Sequence, residues 1–127
     1  VHQYTVMSAP TISQYAAITA LKQCDRFVQQ MHKEYNSRRK LIISGLKNIG
    51  LPIVEPLGAF YAFPKVSGTG LNDEIFAERL LNEKKVAVVP GSSFGKGGKG
   101  FVRCSYATAP DQIEKALDRI QQFVSSL

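Results

Sequence analysis

Arg103 is the residue whose type and setting most clearly suggest chemistry. It stands within residues 101–106 (FVRCSY), an alternating segment typical of a β-strand. Alternation places Arg103 on the face opposite Val102 and Cys104. A guanidinium presents a planar fork of N–H donors that matches a carboxylate or a phosphate. Taken by itself, the pattern favours an ordinary exposed arginine on the open face of an antiparallel sheet, and anion binding is the alternative.

The glycine-rich segment before this strand resembles two nucleotide-binding motifs only superficially. Residues 95–100 (GKGGKG) satisfy the spacing Gly-x-Gly-x-x-Gly. A dinucleotide-binding loop must lead into a helix whose N-terminus holds the pyrophosphate, and here a strand follows. A P-loop is excluded because no Gly-Lys-Ser/Thr occurs. We therefore predict an ordinary loop over residues 91–100.

The cysteines and histidines do not predict a metal site. Cys24 and Cys104 are eighty positions apart, and neither His2 nor His32 pairs with them at the spacing of metal ligands. Two cysteines among apolar neighbours are typical of buried thiols in a reducing compartment. This cysteine usage favours a cytoplasmic location.

The net charge of +6 is concentrated in the first half of the chain. Between residues 22 and 47 there are seven basic and two acidic residues. Four of the basic residues recur every seven positions and share one face of a helix: Arg26, Lys33, Lys40 and Lys47. A solvated outer helix face is the favoured interpretation, and a basic binding module is the alternative. We predict no nucleic-acid partner, and the short apolar runs predict no membrane span.

Helical periodicity occupies the first 49 residues. Thr11 and Gln14 fit a capping box, which predicts a helix start near residue 11. The pattern breaks near residues 23–26 and continues to about Ile49, where Gly50 fits a C-terminal cap. A helix over residues 26–49 would be about 36 Å long, which is unusual for a small domain. This length, and an opening on Val1 rather than Met, suggest a piece of a longer protein.

The rest of the chain predicts short strands alternating with helices. Strands are expected over residues 52–55, 59–63, 86–89 and 101–106. Asn72 fits the cap of a helix to about residue 83, and Thr108 fits the cap of a final helix with one apolar stripe. The fold class is therefore α+β: a small, mostly antiparallel sheet with helices packed on one face, preceded by a long helix.

Three separate stretches resemble one enzyme family in the family's own order. They are residues 9–17 (APTISQYAA), 56–64 (PLGAFYAFP) and 86–107, which contains VAVVPGSSFG and GFVRCSYA. Together they are similar to the C-terminal region of class I/II aminotransferases, pyridoxal-phosphate enzymes of the aspartate aminotransferase fold (fold type I). The resemblance covers nearly the whole chain. It implies that residues 26–127 are the small C-terminal domain and residues 1–25 a remnant of the interdomain or large-domain segment.

The family resemblance gives Arg103 a role, because the family's arginine at this position binds the α-carboxylate of the substrate. It also suggests three further residues that line the pocket: Phe94, Gly58 and Gln3. Gln3 belongs to residues 3–8, which resemble the family's stretch beside the neighbouring subunit's active site, and a plain linker into the first helix is the alternative. Gly58 fits equally well a turn that needs a positive φ before a strand. Phe60 and Phe63, in contrast, are expected in the core.

The resemblance implies a cofactor, pyridoxal 5'-phosphate, bound mainly by a large domain outside this chain. Lys47 and Lys96 each follow a serine at the spacing Ser-x-x-Lys, but neither has the context of the family's cofactor lysine. We therefore predict no catalytic residue in this chain and no activity of the chain alone.

The implied full-length enzyme is a cytoplasmic homodimer of amino acid metabolism. It would move an amino group from an amino acid to a 2-oxo acid. Other pyridoxal-phosphate chemistry on the same fold, such as that of β-lyases or aminocyclopropane-carboxylate synthases, is the alternative that Arg103 would serve equally.

Overall fold

The computed structural model describes residues 1 and 4–127, which fall into two units, Val1–Glu34 and Tyr35–Leu127. The first unit holds the helices α1 (His2–Val6) and α2 (Thr11–Gln23) and the start of α3 (Asp25–Asn48). The second holds the rest of α3, the helices α4 (Asp73–Lys84) and α5 (Pro110–Val124), and three short strands. The domain boundary expected after residue 25 concerns a longer protein and stays a prediction.

Helix α2 starts and ends where the sequence predicts, but its predicted cap is wrong. The N-cap is Pro10, with no side-chain capping bond, because Thr11 already lies within the helix. The Gln14 side chain reaches back to donate to the Ala9 carbonyl at 2.8 Å. The predicted break is confirmed, since Cys24 separates α2 from α3.

Helix α3 ends in the C-terminal cap that Gly50 predicts. Gly50 adopts φ +87°, and its N–H donates to the Lys47 carbonyl at 3.0 Å. The next N–H, of Leu51, donates to the Leu46 carbonyl at 3.0 Å, which completes a Schellman motif. Glycine is suited to this position because it has no Cβ to oppose a positive φ. The last turns of α3 bury three side chains: Ile42, Ile43 and Leu46.

The two later helices differ in how well their caps were predicted. Asn72 caps α4 as expected, accepting a 2.8 Å hydrogen bond from the Ile75 N–H. The predicted Thr108 cap of α5 is wrong: Ala109 is the N-cap and Pro110 is the first helical residue. Proline suits that position because the first N–H of a helix has no acceptor within it. The apolar stripe of α5 is confirmed and gains Phe123, which is fully buried.

The three strands form an antiparallel sheet in the order β1 (Tyr61–Ala62), β3 (Val102–Ser105), β2 (Val89–Pro90). Ala62 pairs with Cys104, and Val89 pairs with Arg103. The strands are shorter than predicted, and the one expected over residues 52–55 is wrong. There, Pro52 lacks an N–H for pairing, and the Arg39 guanidinium bonds the Glu55 carboxylate at 2.5 Å.

The core lies on one face of the sheet, beneath α3, α4 and α5, which confirms the α+β class. Val102, Cys104 and Tyr106 point to that face, as the alternation predicts. They pack with apolar side chains of the three helices, including Leu46, Phe76, Leu80, Ile113 and Phe123. In the part of the chain that the structure describes, no helix has the length and hydropathy to cross a bilayer.

Candidate functional site

Arg103 lies at the middle of the central strand, on the face away from the core. Its neighbours Val102 and Cys104 are buried, whereas Arg103 is half-buried. Strand alternation fixes this placement, because successive side chains point to opposite faces of a sheet. The predicted face of Arg103 is therefore confirmed.

Two aromatic rings hold the Arg103 guanidinium. Its central carbon lies 4.4 Å from the centre of the Tyr61 ring and 4.7 Å from that of Phe94. Both distances are typical of cation–π contacts, which restrict the orientation of the planar group. Among the described side chains, none forms a hydrogen bond or a salt bridge with this guanidinium. Its N–H donors are thus available to an external anion.

The two rings belong to a longer aromatic row on the same side of the molecule. Phe94 meets Phe63 edge-on at 6.2 Å, and Phe63 stacks on Phe101 at 5.6 Å. At the other end, Tyr61 lies 4.6 Å from Phe60, which lies 6.0 Å from Tyr35. The aromatic row therefore comprises six rings: Tyr35, Phe60, Tyr61, Phe63, Phe94 and Phe101.

The core positions expected for Phe60 and Phe63 are wrong. Phe60 is 37% exposed and Phe63 is half-buried, and both rings belong to the aromatic row. In strand β1 it is Ala62 that points to the core, so Tyr61 and Phe63 on either side of it point the other way. An apolar residue beside a small buried one can thus line a site rather than a core.

Phe94 reaches Arg103 from the glycine-rich segment, which the sequence predicts as a loop. The segment contains two short 3₁₀ helices, Gly91–Phe94 and Lys96–Gly98. Phe94 is the last residue of the first, and 51% of its surface is exposed. The structure therefore brings Phe94 and Arg103 together, and the pocket role of Phe94 stays a prediction.

The other two residues predicted to line the pocket are Gly58 and Gln3, and their role stays a prediction. Gly58 is exposed, and a Cβ built on it meets no atom within 4 Å. The positive φ expected at Gly58 occurs instead at Ala59, with φ +56°. The Ala59 carbonyl accepts a 3.0 Å hydrogen bond from the Tyr106 hydroxyl, which holds this turn against the core. Gln3 lies outside the described residues.

The lysines of this chain do not fit the attachment of an aldehyde cofactor. Such a lysine is normally desolvated, which lowers its pKa toward neutrality. Lys47 and Lys96 are both exposed, and no lysine in the described part of the chain is buried. The basic residues Arg26, Lys33, Lys40 and Lys47 are exposed as well, as a solvated helix face would be.

Asp73, at the start of α4, is the feature that sequence reasoning missed. It is the one buried charged residue among those described, at 5% exposure. Its carboxylate accepts hydrogen bonds from the N–H of Ser92 at 2.8 Å and of Gly100 at 3.0 Å. Burial raises the pKa of Asp73, but these backbone hydrogen bonds outweigh it and lower the pKa to about 2. Asp73 therefore stays ionised and ties together both ends of the segment that carries Phe94.

Sequence reasoning could not find Asp73, because an aspartate in the first turn of a helix is ordinary. Tyr61, the other residue missed, could have been found from the strand pattern. It alternates with Ala62 in a predicted strand, so it had an even chance of sharing the face of Arg103.

The comparisons with known proteins point to one family. The profile of "Aminotransferase class I and II" matches residues 2–120. The chain is 48% identical to the "Putative aminotransferase YugH" of Bacillus subtilis, over 98% of this chain and 32% of that protein. It is 50% identical to an "Aspartate aminotransferase" of Pyrococcus abyssi, over 94% of this chain and 31% of that protein.

A solved structure agrees with these sequence relatives. The aromatic aminotransferase of Pyrococcus horikoshii OT3 superposes with a TM-score of 0.93 at 46% identity, over 98% of this chain and 34% of that one. The chain thus spans about a third of the length of the relatives it matches. The match along nearly all of this chain shows that it belongs to the class I and II aminotransferase family.

Proposed function

We propose that this chain is part of a pyridoxal-phosphate-dependent aminotransferase, in which Arg103 binds the α-carboxylate of the amino acid and 2-oxo acid substrates. The observation that carries the proposal is the Arg103 guanidinium held between Tyr61 and Phe94 with no hydrogen-bonding partner among the described residues. Arginine is the side chain best matched to a carboxylate, because its fork can donate two parallel hydrogen bonds.

The chemistry available to this site is the orientation of a substrate. A bidentate pair fixes both the position and the rotation of a carboxylate. Because the two rings already restrict the guanidinium, less conformational freedom is lost when the substrate binds. Holding a substrate in one reactive orientation can supply a large part of an enzyme's rate enhancement.

The cofactor is bound mainly by a part of the enzyme that lies outside this chain. Pyridoxal phosphate is the cofactor of the family, and the exposed lysines of this chain do not fit its attachment. Residues 26–127 act as the small domain of a longer, cytoplasmic, homodimeric enzyme, with residues 1–25 leading into it. The isolated chain is accordingly inactive.

Three further residues line the proposed site. Phe94 covers one side of Arg103 and, being half exposed, also borders the substrate. Gln3 and Gly58 are proposed at the edge of the pocket on the family resemblance.

The test is an Arg103→Lys substitution in the longer polypeptide that carries this chain. Lysine keeps the charge but loses the fork, so KM for L-aspartate or L-phenylalanine should rise about 10- to 100-fold. Transfer of the amino group to 2-oxoglutarate, seen as glutamate, should be measured directly. Elimination chemistry can also yield a 2-oxo acid, but it releases the nitrogen as ammonia.

A matched control for this test is Arg79→Lys. Arg79 also lies over an aromatic ring, with its central carbon 5.4 Å from the centre of Phe123, but it bonds Glu83 and lies on α4. The Arg79→Lys substitution should leave KM unchanged. If Arg103→Lys has no larger effect on KM than this control, Arg103 does not bind the substrate.

A further inference from the structure

We propose that Asp73 is a positioning residue for substrate binding: it clamps the Gly91–Phe94 turn so that the Phe94 ring covers Arg103. This inference rests on the proposed function of Arg103. The Asp73 carboxylate bonds the N–H groups of Ser92 and Gly100, not Arg103 or Phe94, so it acts through the backbone of the glycine-rich segment.

The clamp is built from a carboxylate that its own helix does not need. Asn72 already caps α4 by accepting from the Ile75 N–H. Asp73 is therefore free to direct its two oxygens to Ser92 and Gly100, one to each. Burying a carboxylate raises the free energy of the folded state unless its oxygens accept hydrogen bonds. Asp73 therefore favours the position of the segment in which Ser92 and Gly100 donate to it.

A second contact, next to those two points, brings the start and the end of the segment together. The backbones of Gly91 and Gly98 touch so closely that a Cβ on Gly91 would lie 2.1 Å from the Gly98 carbonyl oxygen. A Cβ on Gly98 would lie 2.0 Å from the Gly91 carbonyl oxygen. The segment therefore has one compact path, and Asp73 binds it just after each of the two touching glycines.

The path of the segment decides where the Phe94 ring lies. Phe94 follows Ser92 by two residues, and its ring is 4.7 Å from the Arg103 guanidinium. If the Ser92 end is released, Phe94 loses this position, and Arg103 keeps only the Tyr61 ring. A less restricted guanidinium binds a carboxylate more weakly.

The first experiment compares Asp73→Asn with the matched control Glu78→Gln in the full-length holoenzyme. Asparagine keeps the shape, but its amide NH₂ faces one backbone N–H, so one of the two clamping bonds is lost. Glu78 is an exposed carboxylate on the same helix. We expect Asp73→Asn to raise KM for L-phenylalanine about 3- to 10-fold, with kcat within about twofold of wild type. Glu78→Gln should change neither KM nor kcat.

A double mutant separates positioning from general destabilisation. If Asp73 acts through Phe94, Asp73→Asn combined with Phe94→Leu should raise KM no more than Phe94→Leu alone, within about twofold. Additive effects would overturn the inference, because they would mean that Asp73 acts by another route. A KM for Asp73→Asn equal to that of Glu78→Gln would overturn it as well.

A measurement on the unmodified holoenzyme covers the case in which Asp73→Asn does not fold. Amide hydrogen exchange at Ser92 and Gly100 should be slower by about an order of magnitude or more than at the exposed Gly97 of the same segment. Equal exchange at the three amides would overturn the clamp. An unchanged KM in Arg103→Lys would instead refute the proposed function. Slow amide exchange at Ser92 and Gly100 would still support the clamp in that case.

Discussion

The two units of the chain differ sharply in how they use their apolar residues. In the first unit, Val1–Glu34, helix α2 buries no residue, and the large apolar side chains stay exposed, including Ile12, Leu21 and Phe27. In the second unit, Tyr35–Leu127, seventeen hydrophobic residues are buried, and sixteen of them form one cluster. Side-chain burial therefore stabilises the second unit, whereas local hydrogen bonds define the helices of the first. A helix of thirteen residues without tertiary packing is only marginally stable in water.

The largest expected effect comes from truncating a leucine in each unit. Leu46 is fully buried on α3, and Leu21 is 83% exposed on α2. Leu46→Ala should lower the free energy of unfolding by about 2–5 kcal/mol, because it removes buried contacts and leaves a cavity. Leu21→Ala should change it by less than about 0.5 kcal/mol. Urea denaturation of the two variants measures both values, and similar losses in both would abolish the distinction between the units.

A smaller effect is expected from adding a methyl group to the glycine-rich segment of the second unit. Gly91→Ala would place a Cβ 2.1 Å from one backbone oxygen and 2.7 Å from another, so the backbone itself must move. We expect a loss of about 1–3 kcal/mol in the free energy of unfolding. Gly97→Ala is the control, since its Cβ meets no atom within 4 Å. Equal stability of the two variants would show that the Gly91–Gly98 contact is not close in solution.

The smallest effect is confined to acid pH, where the buried charge of the second unit titrates. The pKa of Asp73 is lowered from 3.8 to about 2 in the folded protein. A lowered folded pKa stabilises the protein above the unfolded pKa, and this contribution is lost as the pH falls toward 2. Screening by solvent keeps this contribution at about 1 kcal/mol. The free energy of unfolding of Asp73→Asn should therefore fall less steeply between pH 4 and pH 2 than that of wild type. Parallel curves would contradict the assigned pKa.

The sequence predicts the parts of this fold that depend on local patterns. Periodicity located α2, α3 and α4 within two residues of their ends, and Gly50 and Asn72 were recognised as caps because their chemistry acts within one turn. The strand around Arg103 was also predicted, with the correct face, because alternation is a local property.

The surroundings of Arg103 could not be predicted, because they depend on contacts distant in sequence. Tyr61 reaches Arg103 only through the pairing of β1 with β3, about forty residues later. Phe94 reaches it only because Asp73, nineteen residues before Ser92, fixes the path of the segment between them. No local pattern contains either piece of information. The predicted strand over residues 52–55 was wrong for the same reason, since Arg39 holds the end of that stretch.

Binding of a carboxylate by Arg103 can be observed in a crystal structure of the full-length holoenzyme with a dicarboxylate. Maleate is a suitable probe, because its double bond holds two carboxylates in one rigid geometry and either of them can pair with a guanidinium fork. We expect one maleate carboxylate to pair with the Arg103 guanidinium at about 2.7–2.9 Å, with Tyr61 and Phe94 still on either side. Maleate bound through other groups, with Arg103 left in contact with solvent, would contradict it.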